Sequence, residues 1–282
     1  MSLVLSETAA FLQDQTQRFA REKTPTSHFR SVRDSENPEC FDREIWKQMA
    51  EQGLSGILIP EEYGGSNFGL SGIGVVLQEL GRTLTPSPLF ATAVLGVSLI
   101  TKLGSDEQKK KYLPEIANGN LTCCFAFEEG PRHNPNVSEV TAEKNGDKFL
   151  INGKKFFVVD GSFADVIIIA AKSSKGSSLF LVDKNSEGLE IKEAKMVDSR
   201  NSANMIFTNV EINSENILGE IDNAQDTIEE VLDIARAAIS AEMLGGALEA
   251  FEITINYLKE REQFGVKIGS FQALQHRAAN MF

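Results

Sequence analysis

The 282-residue chain predicts an α+β multidomain protein: an amino-terminal α-helical domain, a central antiparallel β-barrel or sandwich domain, and an incomplete carboxy-terminal helical bundle. Two observations carry this. The hydrophobic period switches from about 3.6 to about 2 and back again along the chain. Several short strands also follow one another without intervening helices, the mark of an antiparallel sandwich or barrel. The domains expected from this are 1–119, 120–219 and 220–282.

In the first domain, Ile45, Met49 and Leu54 approximate one helix face, and Ile73, Val76, Leu77 and Leu80 make another. Gly53, Gly81 and Gly104 stand where helices would end, and Pro86, Pro88 and Pro114 punctuate connections. Ser105-Asp106-Glu107-Gln108 reads as a capped helix start, and the run Lys109-Lys110-Lys111 as a solvated face. In the central domain, residues 149–151 and 154–159 around Asn152-Gly153 predict a hairpin, because Asn-Gly suits the positive φ angles of a type I′ turn. Residues 166–171, 178–182, 189–192 and 205–212 predict further strands. Beyond Gly219, residues 222–262 form one or two helices, a single one reaching roughly 60 Å. Ala235, Ala238, Ala241, Gly245, Gly246 and Ala247 would let neighbouring helices approach closely. Phe264-Gly265 breaks the helix, and Ser270 begins another amphipathic segment carrying Leu274, Ala278 and Met281 on one face.

Composition excludes several classes. The net charge of −12 disfavours nucleic acid and anionic membrane as partners. Residues 1–21 lack the apolar core of a signal peptide, and the apolar stretch 89–100 is too short to span a bilayer. Cys123 and Cys124, adjacent on a strand, point to opposite faces; with Cys40 distant and His28, His133 and His276 scattered, no metal site is expected. A reduced, cytoplasmic protein is the expectation.

Three groups of residues together resemble the acyl-CoA dehydrogenase family along the whole chain. The first is Pro60-Glu61-Glu62-Tyr63-Gly64-Gly65 after Gly53-Leu54-Ser55-Gly56, followed by Leu77-Gln78-Glu79-Leu80-Gly81-Arg82. The second is residues 196–202 with Phe207-Thr208-Asn209-Val210 and Asn216-Ile217-Leu218-Gly219. The third is Arg261-Glu262-Gln263-Phe264-Gly265-Val266-Lys267-Ile268 with Phe271-Gln272-Ala273-Leu274-Gln275.

The resemblance implies a flavoenzyme that binds FAD and acyl-CoA, passes electrons to an acceptor, and works as a homo- or hetero-oligomer with a second chain of the same type. In the family a carboxylate removes the α-proton of the thioester while the β-hydrogen leaves as hydride to the flavin. Arg261, Phe264 and Gln272 match the signature that reaches across a dimer contact to the FAD diphosphate and adenine end; taken alone, Arg261 would read as a solvated helix-end charge. Asp233 and Arg236, three apart on one helix face, match a pair beside the acyl-CoA slot, with a plain surface ion pair as the equal alternative.

The sequence also departs from the family. Where relatives carry Thr-Glu-Pro-Gly-Ala-Gly-Ser-Asp, this chain has Phe127-Glu128-Glu129-Gly130-Pro131-Arg132-His133-Asn134. Phe127 offers no hydroxyl to a flavin, and His133 is larger than Ser; Arg132 and His133 either meet a phosphate or form a polar loop tip. Where relatives carry Trp-Ile-Thr-Asn-Gly, this chain has Phe157-Val158-Val159-Asp160-Gly161. Phe157 retains an aromatic face, Val159 can contact a flavin only through its backbone, and Phe156 reads as core. The family's catalytic Glu matches a position beyond residue 282 or, in some members, the position of Ala235, so no catalytic residue is assigned. On that reading this chain alone does not oxidise acyl-CoA appreciably. Two functions compete: an acyl-CoA dehydrogenase, and a non-catalytic, flavin-poor structural subunit of a hetero-oligomeric one. A ligand-free scaffold leaves the motifs unexplained.

Overall fold

The computed structural model describes residues 5–35, 37–134, 136–137, 139–194 and 196–282; residues 1–4, where the expected first domain begins, lie outside them. Helices come first: α1 (Glu7–Lys23), α2 (Thr26–Asp34), α3 (Arg43–Glu51), α4 (Gly69–Thr83), a π-helical stretch (Leu89–Gly96), α5 (Val97–Leu103) and α6 (Asp106–Ala117). The strands are β1 (Cys123–Ala126), β2 (Thr141–Asn145), β3 (Lys148–Val159), β4 (Val166–Lys172), β5 (Ser177–Asp183), β6 (Leu189–Glu193), β7 (Ser202–Asn213) and β8 (Ile217–Leu218). Then come α7 (Gln225–Glu260), the short strands β9 (Glu262–Gln263) and β10 (Val266–Lys267), and α8 (Gln272–Met281). The switch of hydrophobic period therefore marks real changes of structure. The region 222–262 resolves into one 36-residue helix, roughly 54 Å long.

These elements form two compact units. One gathers residues up to Phe29 with 74–85 and 239–282; the other gathers 30–73 and 86–238. In the first, α4 and α7 approach through glycines. A methyl on Gly81 would lie 2.2 Å from the Glu242 carbonyl oxygen, and one on Gly245 only 1.9 Å from that of Gln78. Gly81 thus lies within α4 as a contact point and does not end it, which corrects the expectation of a stop there. Beside this crossing the buried Glu79 carboxylate accepts from Gln13 Nε2 (2.8 Å) and Gln17 Nε2 (3.2 Å). Arg82 lies 3.4 Å from Glu79, 3.3 Å from Glu249 and 3.0 Å from Glu252, so the 77–82 motif ties α1, α4 and α7 together.

The second unit is built on an open sheet in the order β6-β7-β3-β2-β4-β5-β8, with β1 beside β4. It is antiparallel except where β1 and the first residue of β2, Thr141, run parallel to β4. It does not close into a barrel. Successive residues from Cys123 to Phe127, β1 and the residue after it, point to opposite faces: Cys123, Phe125 and Phe127 belong to one core with Leu99, Leu113 and Val231, while Cys124 and Ala126 belong to another with Phe180 and Phe207. The two thiols lie in separate cores, as the alternation requires. Ser105 caps α6 with a complete capping box, and α6 continues through Pro114 instead of ending there. Only the hydrogen bond of the missing proline N–H is forgone, three residues from the helix end.

The Asn152-Gly153 hairpin is the main correction. Both residues lie inside β3, and the two-residue turn is Gly146-Asp147, closed by the pair Asn145 and Lys148. The β3–β7 ladder shifts register at this point, between Ile151 and Gly153, with the extra residue on β7. Asn152 Oδ1 accepts the N–H of Asn209 (2.8 Å), whose φ is +51°. Asn-Gly therefore faces a bulge on its neighbour instead of making a turn. Conversely, Phe264-Gly265 does more than break a helix. With φ of +55° and +77° it is the turn of the β9–β10 hairpin, where Gln263 pairs with Val266.

At the entrance to α7, Asp222 holds the β4–β5 turn. Its carboxylate accepts from Ser173 Oγ, and also from Ser174 Oγ (2.8 Å) and the N–H groups of Lys175 (2.9 Å) and Gly176 (3.0 Å). These donors, Ser173 first, hold its pKa down at about 2. A carboxyl depressed on folding contributes stability above its unfolded pKa of about 3.9 and loses it as pH falls through the folded value. The stability gap between the native protein and Asp222→Asn should therefore close between about pH 4 and pH 2, measured by thermal melts across that range.

Among the described residues no helix is long and apolar enough to cross a membrane, and no cluster of His, Cys, Asp and Glu is arranged to hold a metal ion.

Candidate cofactor site

The region of the departures from the family pattern is built by β3 and the segment after β1. β3 carries a second register shift between Lys155 and Val158, this time with the extra residue on β3 itself. Phe157 takes that place with φ of +50°, its N–H donating to Asn204 Oδ1 (3.1 Å). The bulge turns its ring outward, 42% exposed. Val159, at the end of the strand, is half-buried opposite Ser202.

The segment after β1 lies against this strand. Phe127 is buried, its ring stacked 5.5 Å from Phe125. His133 stands 6.2 Å from the Phe127 ring and pairs through Nδ1 with Glu128 Oε1 at 2.5 Å. Glu128 Oε2 is buried without a hydrogen-bond partner among the described residues. A cleft of about 430 Å³ opens beside them, lined by Glu129, Gly130, Arg132, Asn134, Glu139, Gly153, Lys154 and Phe156. Phe156 is thus half-buried cleft wall and not core, a further correction. The bulge that exposes Phe157 also breaks the alternation behind the core reading of Phe156.

Lys155 and Glu129 carry no role in the sequence analysis. Lys155 is fully buried; its ammonium donates to the Phe127 carbonyl oxygen (2.9 Å) and to Glu129 Oε1 (2.9 Å). Burial lowers its pKa to about 8 against the opposing pull of Glu129. The sequence did hold a signal. Phe149, Ile151 and Lys155 share the inward parity of β3, and a lysine at an inward position requires a buried partner.

The remaining candidates fall in two places. Asp233 and Arg236 form an exposed ion pair at 2.5 Å on α7, around the buried Ala235. Arg261, Phe264 and Gln272 are exposed together on the hairpin and the start of α8, with Phe264 91% exposed and its ring edge-on to Phe271 at 6.2 Å.

The comparisons agree with this layout. Three family models match in order: acyl-CoA dehydrogenase N-terminal domain at residues 6–120, middle domain at 124–210 and C-terminal domain at 226–282. A 3-(aryl)acrylate reductase of Clostridium sporogenes is 33% identical over 86% of this chain and 67% of its own length. Mitochondrial isovaleryl-CoA dehydrogenase of Pongo abelii is 31% identical over 97% of this chain and 66% of its own. The acyl-CoA dehydrogenase from Geobacillus kaustophilus superposes on the whole chain with a TM-score of 0.89, at 27% identity and over 76% of that chain. The chain spans about two thirds of the length of these curated relatives. It belongs to the acyl-CoA dehydrogenase family.

Proposed function

We propose that the protein is a flavoprotein of acyl-CoA α,β-dehydrogenation, acting on an acyl-CoA thioester with FAD. The observation that carries this is the ordered match of all three family models along the chain. Bound FAD supplies the hydride acceptor. The residues present fit it in part. The outward ring of Phe157 offers a flat apolar face for a ring system, and Val159 offers its backbone at the same strand end. Arg261 offers an exposed guanidinium fork to a diphosphate, with Phe264 on the following hairpin and Gln272 at the start of α8. Phe127 contributes no polar side chain, and its carbonyl is occupied by Lys155. His133 and Arg132 lie near enough in sequence to share an anionic group. Asp233 and Arg236 are read as flanking the acyl-CoA slot. No residue of the chain is assigned as the α-proton base.

The names of the relatives span both directions of the chemistry, a reductase of an acrylate and dehydrogenases of acyl-CoA. The match across all three domains favours this reading over a flavin-poor subunit. A cytoplasmic location, an electron-acceptor partner and an oligomer of like chains complete it. The test is the visible spectrum of the purified protein with FAD, followed by titration with saturated and enoyl-CoA thioesters. Flavin bands that shift on thioester addition support it; a protein that keeps no flavin after gel filtration overturns it.

A further inference from the structure

The two register shifts of the β3–β7 ladder are built alike. At the first, Asn152 of β3 stands opposite Thr208 and Asn209 of β7; at the second, Asn204 of β7 stands opposite Phe156 and Phe157 of β3. A bulge leaves one residue whose N–H the ladder does not pair. In both places an asparagine side chain on the facing strand takes that N–H. Asn152 Oδ1 accepts from Asn209 (2.8 Å), and Asn204 Oδ1 accepts from Phe157 (3.1 Å). Both donors have positive φ, +51° and +50°.

What differs is the residue held there. Asparagine enters the left-handed region readily, and the exposed Asn209 presents a polar side chain to water. Phenylalanine suits neither condition: a bulky residue at positive φ is an outlier, and the Phe157 ring is exposed. In a straight strand Phe156 and Phe157 would point to opposite faces; the bulge instead brings their ring centroids to 6.5 Å. The Phe156 N–H is drawn away from β7 to the Glu128 carbonyl oxygen (2.8 Å), so the Asn204 side chain is what ties the bulge back to its neighbour. A backbone held against its residue's preference, with an apolar ring turned to water, is the kind of strain that a ligand contact explains.

We propose that Asn204 is a positioning residue: its amide oxygen fixes the Phe157 backbone in the left-handed conformation and so presents the ring to the isoalloxazine system of a bound flavin. The identity of that ligand rests on the FAD reading above; the hold on Phe157 does not. Asn152 and Asn209 supply the comparison within the same ladder, the same device built around a polar residue.

Amide deuterium exchange reads the hold in the protein without FAD. Asn204→Ala should speed exchange at the Phe157 N–H by about two- to tenfold, the loss of one neutral hydrogen bond, and Asn204→Asp, which keeps an acceptor oxygen, should restore protection. Unchanged exchange at Phe157 in Asn204→Ala overturns the hold. Titration with FAD, followed by flavin fluorescence, reads the consequence. Affinity should fall by a similar factor in Asn204→Ala and keep its native value in Asn152→Ala, which loosens the same ladder at Asn209. In the Phe157→Ala background Asn204→Ala should cost nothing further, because its effect runs through the ring. An equal loss of affinity with and without the ring, or an equal loss in Asn152→Ala, would make Asn204 only a part of the sheet and overturns the positioning role. If Asn204→Ala does not fold, Asn204→Ser, shorter but still polar, carries the same comparisons. A native protein that binds no FAD overturns the flavin reading and the ring's role with it, while the exchange rates still decide the hold on Phe157.

Discussion

Gly245→Val should destabilise the protein by about 3 kcal/mol, while Gly246→Ala, one residue along, should stabilise it by about 0.5–1 kcal/mol. Both glycines lie in the interior of α7, where glycine is the poorer helix former, so propensity alone predicts a gain at each. Space decides otherwise at Gly245. A Cβ there would sit 1.9 Å from the Gln78 carbonyl oxygen and 3.1 Å from the Arg82 backbone nitrogen. Those are main-chain atoms of α4 and cannot rotate away, so the helices must separate. Separation also pulls Arg82 from Glu249 and Glu252 and strips cover from buried Glu79. At Gly246 the nearest atom is the Gly81 carbonyl oxygen at 3.7 Å, ordinary contact, and the added methyl costs nothing. Urea denaturation of the two variants measures both signs. A stable Gly245→Val would mean that α4 and α7 do not cross at these glycines.

How much of this was legible in the sequence depends on how local each signal is. The capping box at Ser105, the alternation of Cys123 and Cys124, and the strands β4 to β7 depend on neighbours within a few residues, and each was readable. The role of Asn152-Gly153 was not, because whether Asn-Gly turns or faces a bulge depends on the register of β7, more than fifty residues away. Gly81 looked like a helix stop for the same reason: its partner is Glu242. The candidate site shows the limit most clearly. Phe157 is a candidate by resemblance alone, and its outward ring comes from a bulge on β3 that no local pattern announces. The inward parity of Lys155 is local, but the partner that makes it tolerable, Glu129, arrives from the segment after β1. The family motifs at 60–65 and 77–82 proved to hold the fold. A methyl on Gly65 would stand 2.1 Å from the Ile59 carbonyl oxygen, so that motif needs glycine for close approach within its own turn.

Arg261→Ala should weaken FAD retention by about ten- to a hundredfold, and Lys259→Ala should leave it unchanged within error. Removing a donor from a charge-assisted hydrogen bond costs roughly 1.5–3 kcal/mol, which is one to two decades in affinity. The two cations share a helix end and a similar exposure, so a general loss of positive charge would affect both. What separates them is placement. Lys259 belongs to the last turn of α7, whereas Arg261 stands between that helix and the β9–β10 hairpin. Its N–H is bonded back to the Tyr257 carbonyl (2.9 Å), and its own carbonyl accepts from Ile268 (2.9 Å), which fixes its backbone from both sides. Neighbouring Lys267 is already committed to Glu262 at 2.7 Å and to the Glu260 carbonyl, while no ion pair engages the Arg261 guanidinium among the described residues. An uncommitted fork on a backbone fixed from both sides suits a diphosphate, whose two acceptors it can meet together. Arg261→Lys distinguishes charge from geometry: retention should fall part of the way, because an ammonium supplies the charge without the paired donors. The measurement is flavin fluorescence on titrating FAD into each variant, at two ionic strengths. Equal affinity in Arg261→Ala and Lys259→Ala would reduce Arg261 to a surface charge, whatever motif surrounds it.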